Sequence, residues 1–124
     1  KVTAVLAEIV PDTKSGTPGS DSVKVKGVIT WVSASEGLPV EIRLYDRLFT
    51  EAQPDAGGRN FLEALNPTSK TVIQTWVEPS LANAAAGTSY QFERHGYFVA
   101  DRKDSAPGKP VFNRTTTLKD SWAK

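Results

Sequence analysis

The amino-acid sequence predicts an all-β protein: six or seven short strands, arranged as one or two antiparallel β-barrels, with two short connecting helices. Three observations predict it. Val, Ile, Thr and aromatic residues recur in short runs, and several runs alternate apolar with polar side chains, the period of two of a half-buried strand. Eight prolines and nine glycines interrupt the chain at short intervals, which is the chemistry of turns. The candidate strands also fall at fairly regular spacing, as they do in a barrel. A length of 124 residues suffices for one domain with a core, or for two small barrels sharing a seam.

Residues 1–10 alternate loosely and read as a first strand, stopped by Pro11 and followed by a Gly/Ser/Pro-rich loop over 12–21. Over 23–32, Val23, Val25, Ile29 and Trp31 share one face while Lys24, Lys26 and Thr30 share the other, so a half-buried strand is expected, bent at Gly27. After a turn over 33–39, residues 40–49 place Val40, Ile42, Leu44 and Leu48 inward and Glu41, Arg43, Tyr45 and Arg47 outward. These two strands are expected to pair antiparallel. A loop over 51–60 leads to a helical turn at 61–65, ended before Pro67. Residues 70–78 are apolar on both faces, Ile73 and Val77 opposing Val72 and Trp76, so a central strand is expected there. Ser80 can cap a short helix running to Ala86, with Gly87 just past its end. Residues 88–101 and 111–118 supply the last strands, split by a polar turn over 102–109 that contains Pro107-Gly108. Trp31, Trp76 and Trp122 are expected in the core or at a seam.

Composition excludes several function classes. No run of about 18 apolar residues is present and the N-terminus lacks the order of a signal peptide, so neither membrane nor export is indicated and a cytoplasmic monomer is expected. With no cysteine there can be no disulfide or zinc-thiolate site. A single histidine, His95, argues against a histidine metal centre or a Ser-His triad, and is read as structural. Asp46, Asp101 and Asp104 would serve a hydrolase, but no motif organises them. A chain that opens on Lys1 and contains no Met is expected to be cut from a longer one. Asn113-Arg114-Thr115 matches a glycosylation acceptor, which without a secretion signal carries no weight.

The formal charge of +1 is unevenly spread. Residues 1–93 hold 8 Lys/Arg against 11 Asp/Glu, whereas residues 94–124 hold 7 against 3. A local excess of cations is what contact with a phosphate backbone requires, because each cation near the backbone releases condensed counterions. A solvated basic tail gives the same count.

Three strings carry a family resemblance: VKGVITWVSASEGLPVEIRLYDRLFT at 25–50, VEPSLANAAAGTSYQFERHGYFVADRKDS at 77–105 and KPVFNRTTTLKDSWAK at 109–124. In order and in length they resemble the C-terminal, anticodon-binding region of bacterial glutaminyl-tRNA synthetases, although Thr30 stands where that family often has His. The resemblance implies the later part of one anticodon-binding β-barrel and most of a second, within a class I ligase that joins glutamine to tRNA(Gln) using ATP and Mg. The catalytic Rossmann half is absent from this chain. It has no HIGH-like or KMSKS-like string and no glycine-rich phosphate loop, so no cofactor, metal or catalytic residue is expected. The implied partner is the tRNA(Gln) anticodon loop, not DNA.

Within TSYQFERHGYF, Gln91 and Arg94 match the family's contacts to the central anticodon uridine. The chemistry fits, since uracil presents two carbonyl acceptors flanking one N–H, while Gln offers a donor and an acceptor and Arg a fork of five donors. Bases of RNA loops are splayed out and read on such edges. Positions three apart point to opposite faces of a regular strand, so both can serve one base only if the strand breaks. His95-Gly96 predicts that break. Arg102, Lys103 and Lys109 beside the polar turn, and Arg43 and Arg47 flanking Tyr45, are the candidate contacts to RNA phosphates, with solvated ion pairs as the plainer reading. Asn113 is expected to stabilise the backbone. An RNA- or protein-binding β-barrel module, or the same region of a glutamate-tRNA ligase relative, are the alternatives.

Overall fold

Val40, Ile42 and their polar neighbours Glu41 and Arg43 make the clearest alternation in the chain, and the strand they form, β1 (Leu38–Tyr45), organises the sheet. A computed structural model describes residues 1–119. Along the chain follow β2 (Lys70–Val77), β3 (Ser89–Phe92), β4 (Gly96–Ala100) and β5 (Val111–Thr116). They form one five-stranded sheet in the order β2-β1-β5-β4-β3. β1 pairs antiparallel with β2 from Leu38↔Val77 to Tyr45↔Lys70, and parallel with β5 through Ile42↔Phe112. β3 and β4 form a hairpin, and β4 runs antiparallel to β5 with a register shift between Tyr97 and Phe98.

The core lies on one face of this sheet, where Val40, Ile42, Val77, Phe98, Ala100 and Phe112 are buried together. Phe112 has 0% exposure and receives the edges of two rings: Tyr90 at a centroid distance of 5.9 Å and Phe92 at 5.2 Å. Phe92 also stacks on Phe98 at 4.5 Å. β3 is thus fastened to β5 by two aromatic side chains and to β4 by the Phe92–Phe98 stack, a geometry worth about 0.5–1.5 kcal/mol per pair beyond area burial.

The protein is all-β, and the closed barrel is where the expectation parts from the structure. β2 and β3 are the sheet's two edges and are not hydrogen-bonded to one another, so the sheet is open. It has five strands among the described residues because residues 1–10 and 23–32, though alternating, lie outside every ladder and almost entirely exposed. Alternation supplies a strand with a face but not with a partner. β1 therefore pairs with β2 and β5 rather than with 23–32, one of the two pairings being parallel. Residues 70–78, expected at the centre, form an edge strand, with Val72, Ile73 and Trp76 left exposed. Trp31 is 84% exposed and Trp76 52%, so neither is a core residue, and Trp122 lies outside the described residues. Leu48, expected inward, is also exposed, since β1 ends at Tyr45.

The connecting helices are single 3-10 turns at Phe61–Ala64 and Pro79–Asn83, with a third at Ala56–Gly58. Asn60 caps the Phe61–Ala64 turn by accepting the Leu62 N–H. The Pro79–Asn83 turn starts on its proline with Glu78 in the capping position, so Ser80 is inside it and caps nothing. The span expected as one strand over 88–101 folds back on itself as the β3–β4 hairpin.

Candidate nucleic-acid interface

β3 has only four residues, and their burial alternates: Tyr90 and Phe92 turn toward the core while Ser89 and Gln91 are exposed. The strand then breaks at the place the sequence predicts. Glu93, Arg94 and His95 form the turn, closed by the His95 N–H donating to the Phe92 carbonyl at 2.9 Å. Arg94 sits at φ 68°, in the left-handed region that few non-glycine residues occupy. Gly96, at φ 131°, brings the chain back hard against β5: a Cβ there would stand 2.5 Å from the Thr116 carbonyl oxygen. The alternation that would set Gln91 and Arg94 on opposite faces stops at Phe92, so it places no constraint on Arg94. Both side chains are exposed, one on the last outward position of the strand and one at the tip of the turn.

The two open edges of the sheet face a groove of about 690 Å³, lined by Thr75, Trp76 and Glu78 from β2 and its end, and by Gln91, Glu93 and His95 from the hairpin. The extended residues 29–32 run along it. Amide, imidazole and indole groups there offer donors, acceptors and an aromatic surface, which suits an unstacked base. Among the described residues no cluster of His, Cys, Asp or Glu could hold a metal ion, and no helix is long and apolar enough to cross a membrane.

The other basic candidates divide sharply. Arg43 belongs to a polar network on the outer face: its Nε donates to Glu41 at 2.7 Å, and its Nη1 lies 2.7 Å from Asp104 and 3.7 Å from Asp101. Glu41 above all, then Asp104, raises the guanidinium's pKa further above its ordinary range. Three carboxylates around one cation that is 18% exposed leave little positive field for a phosphate. Tyr45, expected as a stacking ring beside Arg43 and Arg47, instead donates its hydroxyl to Asn113 Oδ1 at 2.9 Å. Arg47 lies beyond the end of β1, with its Nε 3.9 Å from Asp46.

Arg102, Lys103 and Lys109 are exposed on the turn between β4 and β5. Arg102 is laid over Gly87, its Nε 2.9 Å from where a Cβ would stand, and the φ of 80° at position 87 is one that favours glycine. Asp101 organises the start of this turn by accepting the N–H groups of Lys103 and Asp104, each at 2.8 Å, and the Asn113 amide at 2.6 Å. These bonds, the Asp104 N–H foremost, followed by Asn113, Lys103 and the charge of Arg43, hold its carboxyl down at about 2. Asn113 thus stabilises side chains rather than the backbone expected of it.

This turn and Arg94 are at opposite ends of β4, whose five residues separate them by about 16 Å. Among the described residues, the basic last quarter of the chain is therefore divided between two ends of the sheet. The sequence pattern pointed to Asp101 only as an unorganised acid and to Asn113 only as a backbone prop, although an Asp at a strand end before a polar turn is a known signal for such caps. Arg114 lay unassigned in VFNRTTTL.

Residues 28–101 match the family described as the anticodon-binding domain of class I tRNA synthetases (E and Q). Over 123 residues the chain is 67% identical to the glutamine–tRNA ligases of Ralstonia pickettii (strain 12J) and Ralstonia nicotianae (strain ATCC BAA-1114 / GMI1000), covering 99% of this chain and 21% of each relative. It is 58% identical over 121 residues to that of Polynucleobacter asymbioticus (strain DSM 18221 / CIP 109841 / QLW-P1DMWA-1). The chain spans about a fifth of the length of these curated relatives.

Proposed function

From the premise that the chain belongs to the anticodon-binding domain family of class I tRNA synthetases, we propose that it recognises the anticodon loop of tRNA(Gln) within a glutamine–tRNA ligase. The observation that carries this reading to particular residues is the break in the hairpin, which leaves Gln91 exposed at the end of β3 and Arg94 exposed beyond it. Gln91 supplies the paired donor and acceptor, and Arg94 the donor fork, for the edge of one splayed pyrimidine, the central anticodon uridine.

Aminoacylation, with its ATP and Mg, belongs to other parts of such a ligase, which would act in the cytoplasm. This chain contributes affinity and discrimination only. Arg102, Lys103 and Lys109 are the proposed contacts to phosphates of the anticodon stem, held in place by the Asp101 turn. Arg43 and Arg47 were the other backbone candidates. Arg43 serves the domain's own network, and Arg47 stays a candidate at the opposite end of the sheet. The anticodon-binding barrel, in full or in part, would be completed by pairing of the open edges with further strands.

The test is tRNA binding by the protein in its full natural length, comparing Gln91→Ala and Arg94→Ala on cognate tRNA and on tRNA changed at the central anticodon base. Each variant is expected to lose about 1–3 kcal/mol on cognate tRNA and to discriminate less at that base. Equal losses on both tRNAs would mean that these residues grip phosphate and read nothing.

A further inference from the structure

β1 and β5 run parallel, and β4 runs antiparallel to β5, so the end of β1, the end of β5 and the tip of the β3–β4 hairpin all lie at one end of the sheet. A second groove, of about 670 Å³, opens there. Its charged residues are Arg47, Arg114 and Asp46, and Thr68, Thr71 and Thr115 line it with them, the Thr68 and Thr115 hydroxyls donating to Asn66 Oδ1 and to the Tyr97 carbonyl. Arg114 pairs with the buried Phe98, which puts its stem on the core side of β5 and its guanidinium at the mouth of the sheet. It is half-buried, and among the described residues its side chain makes no ion pair or hydrogen bond. Gly96, at the base of the Arg94 turn, packs against Thr116 and Thr117, which also line this groove, so the hairpin meets the groove's rim there.

We propose that this groove is a phosphate-binding subsite for RNA, with Arg114 as its principal donor and Arg47 as its second, seating the backbone next to the base that Arg94 reads. The inference rests on the reading of the chain as an anticodon-binding domain and adds a residue to it. A guanidinium fork is suited to phosphodiester oxygens, which accept both of its parallel N–H groups. Asp46 offsets part of the charge, which favours a site for one or two phosphates over a broad polyanion surface. The groove lies at the same end of the sheet as Arg94, whereas Arg102, Lys103 and Lys109 lie the length of β4 away.

Binding of cognate and anticodon-mutated tRNA is measured across a salt series for the full natural-length protein and for Arg114→Gln, Arg114→Lys and Arg47→Gln. Arg114→Gln is expected to weaken both tRNAs equally, by roughly five- to tenfold at low salt, and to lower the slope of log affinity against log salt by about 0.7–1. Arg114→Lys should restore the slope, and Arg47→Gln should repeat the loss in smaller measure. An unchanged affinity and slope in Arg114→Gln overturns the subsite while leaving the reading of Arg94 intact. Loss of discrimination in Arg114→Gln overturns it as well, by making Arg114 a base reader. A parent protein that binds neither tRNA ends both readings together. Should Arg114→Gln fail to fold, an unchanged salt slope in Arg47→Gln overturns the subsite by itself.

Discussion

Four arginines of this chain meet four environments, and the environment decides what each can do. Arg43 is surrounded by Glu41, Asp101 and Asp104 and acts as a rivet between β1 and the turn before β5. Arg102 lies across Gly87. Arg94 stands at the tip of a turn at positive φ, and Arg114 at the mouth of the sheet. Of these four, Arg43 alone has its guanidinium held by carboxylates among the described residues. The Arg43 network makes a prediction of its own through Asp101. Its folded-state pKa, at about 2, is below the usual aspartate value of about 3.9, so the unfolded chain binds more protons between those limits. Its contribution to stability is therefore complete above about pH 4 and disappears as pH falls toward 2. Urea midpoints followed from pH 6 to pH 2 should show Asp101→Asn less stable than the parent at pH 6 and the two curves converging below pH 4. Curves that stay parallel would show that the carboxylate's charge is not what holds the turn.

At the scale of elements, the β3–β4 hairpin is too short to hold itself: four and five residues joined by a tight turn are marginal as an isolated pair. Phe112 supplies what the hairpin lacks, taking the edges of Tyr90 and Phe92 and pairing β5 with both β1 and β4. Phe112→Ala is expected to cost about 3–5 kcal/mol in chemical denaturation, and to loosen the hairpin before the β1–β2 pair. A cost under 1 kcal/mol would mean that the aromatic cluster does not anchor the hairpin. The break after Phe92 was legible in the sequence because His95-Gly96 is poor strand material, and the structure adds why glycine stands at 96: the Thr116 carbonyl occupies the place of its side chain. Residues 70–78 could not be placed in the same way. Apolar side chains on both faces describe a strand covered on both sides, and whether a cover exists is not a property of the strand.

Across the whole molecule, charge and exposure are distributed unevenly. The basic end of the sheet carries Arg47, Arg94 and Arg114, while the acidic excess of residues 1–93 is distributed over loops and the Arg43 network. Residues 1–10 and 23–32 keep Val2, Leu6, Ile9, Ile29 and Trp31 exposed and outside the sheet. Hydrogen exchange of the 124-residue chain should therefore show protection in β1, β4 and β5 and exchange near the rate of an unstructured peptide over 1–10 and 23–32. Protection of 23–32 equal to that of β1 would show that this segment does find a strand partner. The sequence by itself determined the all-β class, the β1 alternation, the family and the strand break after Phe92, because periodicity, turn residues and long collinear strings are local properties of a chain. Tertiary structure alone decided which strands pair, that the sheet stays open, that Arg43 is neutralised and that Arg114 joins Arg47 and Arg94 at one end. Those facts depend on residues distant in sequence meeting across a ladder, and a strand's own pattern specifies its faces, never its neighbours.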